Sequence, residues 1–259
     1  MRVWAVANQK GGVGKTTTAV TLGGLLAERG QKVLLLDLDP HGSMTSYFGY
    51  DPDSLQKSSF NLFAEQEPDK ASIQSLILKT PCEGLTLLPS SMALATVERR
   101  AASEGMGLKV SRALAKIWED YNYVLIDSPP VLGALMINAL AASERLLVPV
   151  QTEFLALKGL ERMIRTISMV TQSLKKELNY VIIPTMFDRR TQASVGALRE
   201  LRNQYDGRIW PAMIPVDTRI RDASRQGMPL SQFAKDSRGA AAYRSLLKLL
   251  LSEQEKRAS

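Results

Sequence analysis

Gln9-Lys10-Gly11-Gly12-Val13-Gly14-Lys15-Thr16-Thr17 is the stretch that decides how the rest of the chain is read. It follows an apolar run, 3–7, and precedes a segment of helical period, 16–29, so it is a glycine-rich turn between a strand and a helix. Glycines let the backbone bend until successive N–H groups converge on phosphate oxygens, and the helix that follows directs the positive end of its dipole there. In such a loop Lys15 reaches the β and γ phosphates and the Thr16 hydroxyl ligates Mg²⁺. Thr17 adds an α-phosphate contact. The usual G-x-x-x-x-G-K-[ST] pattern is broken at its first position, where Gln9 stands for glycine, and the segment carries a second lysine, Lys10.

Outward from this loop, short apolar runs alternate with longer segments of helical period. Strands are predicted over 3–7, 33–36, 85–88, 123–126, 146–150, 180–184 and 208–210, and helices over 16–29, 107–120, 133–142, 156–178, 194–205, 217–226 and 239–255. The alternation implies an α/β fold, a mostly parallel twisted sheet flanked by helices. No repeat or linker divides the chain, so 1–259 reads as a single domain. The polar region 49–81 reads as short helices joined by loops.

Two further segments deliver carboxylates where an open parallel sheet presents its ligand crevice. Leu34-Leu35-Leu36-Asp37-Leu38-Asp39-Pro40 ends a buried strand in acids at alternate positions. Tyr123-Val124-Leu125-Ile126-Asp127-Ser128-Pro129-Pro130 brings Asp127 to the same edge. A carboxylate there can hold Mg²⁺ directly or through its waters.

Lys10 to Thr17 match the deviant Walker A pattern K-G-G-x-G-K-[TS] throughout, and on these residues the chain resembles the ParA/MinD group of P-loop ATPases. The likeness continues through Pro149 to Glu153, Thr185 to Thr191, Ile214 to Arg219 and Gly239 to Tyr243, nearly the whole chain. It implies ATP and Mg²⁺ as ligands, with Gly11, Gly12, Val13 and Gly14 in the phosphate cradle. It implies that Lys10 reaches the partner subunit's ATP in a nucleotide-sandwich homodimer, as a cation offsetting charge in phosphoryl transfer. Asp39 then positions or activates the attacking water, and Asp37 supports the Mg²⁺ shell or the loop. Where the family has glutamine this chain has His41, its only histidine, read as a tolerated loop substitution. Met186, Phe187, Asp188 and Pro215 fall where the family encloses adenine. The absence of an N-K-x-D sequence favours ATP over GTP.

Composition places the remaining expectations. The net charge is +7, and 185–259 hold 14 Lys plus Arg against 8 Asp plus Glu, whereas 1–184 hold 19 against 18. Such asymmetry suits a polyanionic partner. By resemblance, Arg190 and Arg219 bind DNA without sequence preference, with Arg221 enlarging the patch; the bland reading pairs these arginines with Asp188, Asp217 and Asp222. The resemblance also implies an adaptor protein that stimulates the ATPase, and a cytoplasmic, nucleoid-associated or polar location. Cys82 is the only cysteine, which excludes a disulfide within the chain and the cluster-bridging branch of the family. No apolar run reaches the roughly 20 residues of a membrane span. Two alternatives are kept: a MinD-like membrane regulator docking through 243–259, where Lys256 and Arg257 follow the leucines, and a metabolic phosphotransferase.

Overall fold

The apolar runs become strands buried on both faces. The computed structural model describes residues 1–64, 66–100 and 106–258. Seven strands form one sheet: β1 (Arg2–Val6), β2 (Val33–Asp37), β3 (Leu78–Lys79), β4 (Leu85–Leu88), β5 (Tyr123–Asp127), β6 (Arg145–Gln151) and β7 (Asn179–Thr185). Their order is β3-β4-β2-β5-β1-β6-β7, and every pairing is parallel except that of β3 with β4. Side chains alternate across the pleat. Thus Leu34 and Leu36 of β2 enter one core, while Val33 and Leu35 enter the other.

Among the described residues, eleven α-helices surround the sheet: α1 (Lys15–Ala27), α2 (Ser43–Tyr47), α3 (Lys70–Gln74), α4 (Ala95–Arg100), α5 (Lys109–Lys116), α6 (Ala134–Ala142), α7 (Phe154–Leu174), α8 (Gln192–Gln204), α9 (Arg219–Arg225), α10 (Leu230–Phe233) and α11 (Arg238–Ala258). Helices α4 to α8 supply the first core, whereas α1, α9, α10 and α11 supply the second. α1 is wedged between the sheet and α11, which explains why it is apolar nearly all round. Its Gly24 permits the approach of Pro229, whose Cβ would lie 2.4 Å from any Cβ added there. In α11, Ala240, Tyr243, Leu246, Leu247 and Leu250 are buried at helical spacing, so the leucines considered for membrane docking are core residues. The side chains of Lys256 and Arg257 lie outside those described.

Three predicted elements differ from the structure. Residues 208–210 make only an isolated bridge, Ile209 to Ile182, because Pro211 follows and carries no N–H for a ladder. The helix predicted over 156–178 ends at Leu174, where Lys175 turns left-handed at φ 48°. Lys176 is then held by the carbonyls of Ala141 and Ser143 at 3.0 and 2.5 Å. The helix predicted over 107–120 shortens to Lys109–Lys116. The region 49–81 does contain short helices, Ser59–Phe63 and α3, but also β3, whose two residues are too few for a periodic signal.

Candidate functional site

β1 leads into the glycine loop at the carboxyl edge of the sheet, and β5 beside it and β2 beyond β5 deliver acids to the same edge. Gly12 and Gly14 adopt φ of 73° and 90°, a region costly for residues with a Cβ. Gly14 caps α1 without a side chain, which leaves the first-turn N–H groups directed at the cleft. The loop is fixed from beneath: Asn8 Nδ2 donates to Pro149 O at 2.7 Å, and Thr185 Oγ1 donates to Val13 O at 2.9 Å.

Lys15 is buried at the head of α1, with Nζ 3.3 Å from Lys10 O. Burial lowers its pKa against the opposing pull of Asp127 and Asp39. Thr16 Oγ1 donates to Asp127 Oδ2 at 2.5 Å, while the other oxygen, Oδ1, is buried without a partner. Asp37 and Asp127 are register partners on β2 and β5. Burial drives both carboxyls well above the usual carboxylate range, and each opposes ionisation of acids beside it. A hydroxyl beside an orphaned, buried carboxylate suits a small, hard cation that takes its other ligands from phosphate and water. Among the described residues, no group of three or more His, Cys, Asp or Glu could hold a metal by itself.

Asp37 holds the loop. Its Oδ1 accepts from the Asp39 N–H at 3.1 Å, and its Oδ2 accepts from the Thr45 N–H and hydroxyl at 2.9 and 2.8 Å. Asp39 Oδ1 in turn accepts from the His41 N–H at 3.0 Å, and His41 Nδ1 lies 2.9 Å from the same oxygen. His41 therefore touches Asp39 directly, a contact that reading it as a tolerated loop substitution does not anticipate. The Lys10 ammonium is ion-paired with Glu153, immediately before α7.

A cleft of about 460 Å³ is lined by Gly11, Gly12, Lys15, Thr16, Asp39 and His41. A second cavity of about 310 Å³ adjoins it, sharing Gly14, Thr17 and Met186. Val13, Met186 and Pro215 line this second cavity, and Phe187 and Asp188 do not. Phe187 is committed through its backbone to Ile214 and Val216, at 3.1 and 3.0 Å. Asp188 is turned to Arg190, which donates to both its oxygens and holds its carboxyl down at about 2. The cavity is completed by Ile220, Arg221 and Ser224 of α9 and by Tyr243 of α11, residues that local sequence did not single out for a base.

The arginines separate. Arg190 pairs with Asp188, and Arg219 lies 3.9 Å from Asp222, both exposed, as the bland reading has it. Asp217 instead accepts from the backbone of Arg219 and Gly239, tying α9 to α11.

A family model described as an AAA domain matches residues 1–180. The sporulation initiation inhibitor protein Soj of Bacillus subtilis is 35% identical over 249 residues, 95% of this chain and 97% of that protein. The chromosome partitioning protein ParA of Caulobacter vibrioides is 34% identical over 261 residues, 99% and 96%. The chain belongs to the ParA/Soj family of partitioning ATPases. The family's fold is matched in three dimensions by a Mycobacterium smegmatis structure, named as cobyrinic acid a,c-diamide synthase with bound ATP analog and magnesium. That structure is 38% identical, has a TM-score of 0.83, and covers 98% of this chain and 96% of its own. No helix among the described residues is long and apolar enough to cross a membrane.

Proposed function

We propose that this chain, acting as one domain, is an ATP-switched positioning ATPase. ATP favours a face-to-face dimer, the dimer holds DNA without sequence preference, and hydrolysis releases it. The observation that carries the reading is the convergence of Lys15, Thr16 and Asp39 on one cleft, with Asp127 hydrogen-bonded to Thr16 behind it and its other carboxylate oxygen buried without a partner among the described residues.

Thr16 and Asp127 would hold magnesium, with Asp37 bracing the loop behind them. When bound, the ion neutralises charge on the β and γ phosphates. Lys15, buried at the head of α1, is aimed at the same oxygens. Asp39 orients water for in-line attack on the γ phosphorus: the bond to the bridging oxygen breaks, ADP leaves, and the water's proton is released with phosphate. Orientation matters more here than basicity. Lys10 leaves Glu153 and reaches the partner's triphosphate, so the dimer depends on the ligand both copies hold. Exposed Val131, Leu132, Phe154 and Leu155, on the segments after β5 and β6, provide apolar surface for such a face.

Arg190 and Arg219 supply phosphate contacts that anchor the dimer on bulk DNA without reading bases. An adaptor protein would accelerate hydrolysis, which would free the dimer for another cycle of cargo positioning. The name of the Mycobacterium smegmatis relative offers a second reading, amide synthesis on a small molecule, which requires a carboxylic acid and a nitrogen donor for turnover.

Retention on random-sequence DNA, compared in ATP and in ADP, tests the proposal. Retention confined to ATP and lost in high salt supports it. Retention indifferent to nucleotide contradicts it.

A further inference from the structure

We propose that Arg221 is a base-recognition residue of the nucleotide site, its guanidinium lying against the face of the purine rather than on DNA. The inference rests on the ATP reading above. In α9, Ile220, Arg221 and Ser224 stand on one side at i, i+1 and i+4 and together line the 310 Å³ cavity. Arg219 and Asp222 pair with one another, and neither lines it. Within one short helix, two neighbouring arginines thus have different surroundings.

Val13, Ile214 and Pro215 give the cavity apolar walls, Asp217 is the acid on the same lining, and at Gly14 and Thr17 the cavity adjoins the phosphate cleft. Arg221 is a cation on this lining, and among the described residues its guanidinium has no hydrogen bond or ion pair, whereas Arg190 is held by Asp188. A guanidinium is planar and weakly hydrated, and it stacks on aromatic faces, which a lysine ammonium does not reproduce. Stacking tolerates any purine, so Arg221 contributes affinity for the base, not a choice between adenine and guanine. The contact is the same for the triphosphate and the diphosphate.

Calorimetric titration of the full chain with Mg·ATP, Mg·ADP and inorganic tripolyphosphate, for the wild type, Arg221→Ala, Arg221→Lys and Lys15→Ala, tests this. Arg221→Ala should weaken ATP and ADP equally, by about fivefold, and leave tripolyphosphate unchanged; Arg221→Lys should recover little. At saturating ATP, Arg221→Ala should retain random-sequence DNA like the wild type. Unchanged ATP and ADP affinity, an equal loss for tripolyphosphate, or lost DNA retention would overturn the assignment. A wild type that fails to bind ATP, or Lys15→Ala binding it undiminished, would remove the nucleotide reading itself.

Discussion

Lys10 and Glu153 form an ion pair within one chain, across the gap between the phosphate loop and the start of α7. In the proposed dimer Lys10 would have to leave this contact to reach a partner's ligand, and Glu153 would then restrain dimerisation in proportion to the strength of the pair. Both groups are partly exposed, and such a pair contributes about 0.2–1 kcal/mol. Each copy breaks one, so Glu153→Gln should tighten the ATP dimer by up to roughly thirtyfold. Sedimentation across a range of protein concentration checks this. Lys10→Ala should bind ATP and remain monomeric.

The Asp39–His41 contact makes His41 a positioning residue. His41→Ala should lower kcat by roughly threefold to tenfold, the size expected for losing one orienting hydrogen bond, while KM for ATP stays near the wild-type value. His41→Gln, which can donate to the same oxygen, should recover most of the rate. An unaltered kcat for His41→Ala would show that Asp39 needs no such support.

Asp37 and Asp127 give a pH dependence whose sign is set by their raised pKa values. A carboxyl titrating higher in the folded than in the unfolded state stabilises the fold while protonated. That contribution is present at acid pH and is lost as pH climbs from the ordinary carboxylate range through the raised values. Nucleotide-free protein should therefore lose stability between about pH 5 and about pH 8 as the pair ionises. Mg·ADP should reverse the loss, and Asp127→Asn should flatten the profile. Thermal melts in metal-free buffer test it; a free protein that gains stability over this range would contradict the assignment.

Arg190→Glu combined with Arg219→Glu should weaken retention on DNA and spare the ATP dimer. Each lost phosphate contact lowers the slope of log affinity against log salt by about one. A slope unchanged in the double variant would confine these arginines to their ion pairs with Asp188 and Asp222.

Much of this was legible before the structure, for a physical reason. The glycine loop and the acids at 37, 39 and 127 lie at strand ends, and strands buried on both faces announce themselves as unbroken apolar runs. The second cavity was less legible because Ile220, Arg221, Ser224 and Tyr243 reach it from elements remote in sequence, with no local pattern to mark them. Phe187 and Asp188 do not line it, since motif proximity says nothing of which way a side chain turns. Lys176 cut a helix short through tertiary hydrogen bonds that propensity does not contain.

The central claim is that bound ATP joins two copies, and the most direct measurement is the sedimentation of Asp39→Ala in ATP and in ADP. With Lys15 and the magnesium-holding residues intact and hydrolysis blocked, the account predicts a stable dimer in ATP and a monomer in ADP. A monomer of Asp39→Ala at saturating ATP would contradict it.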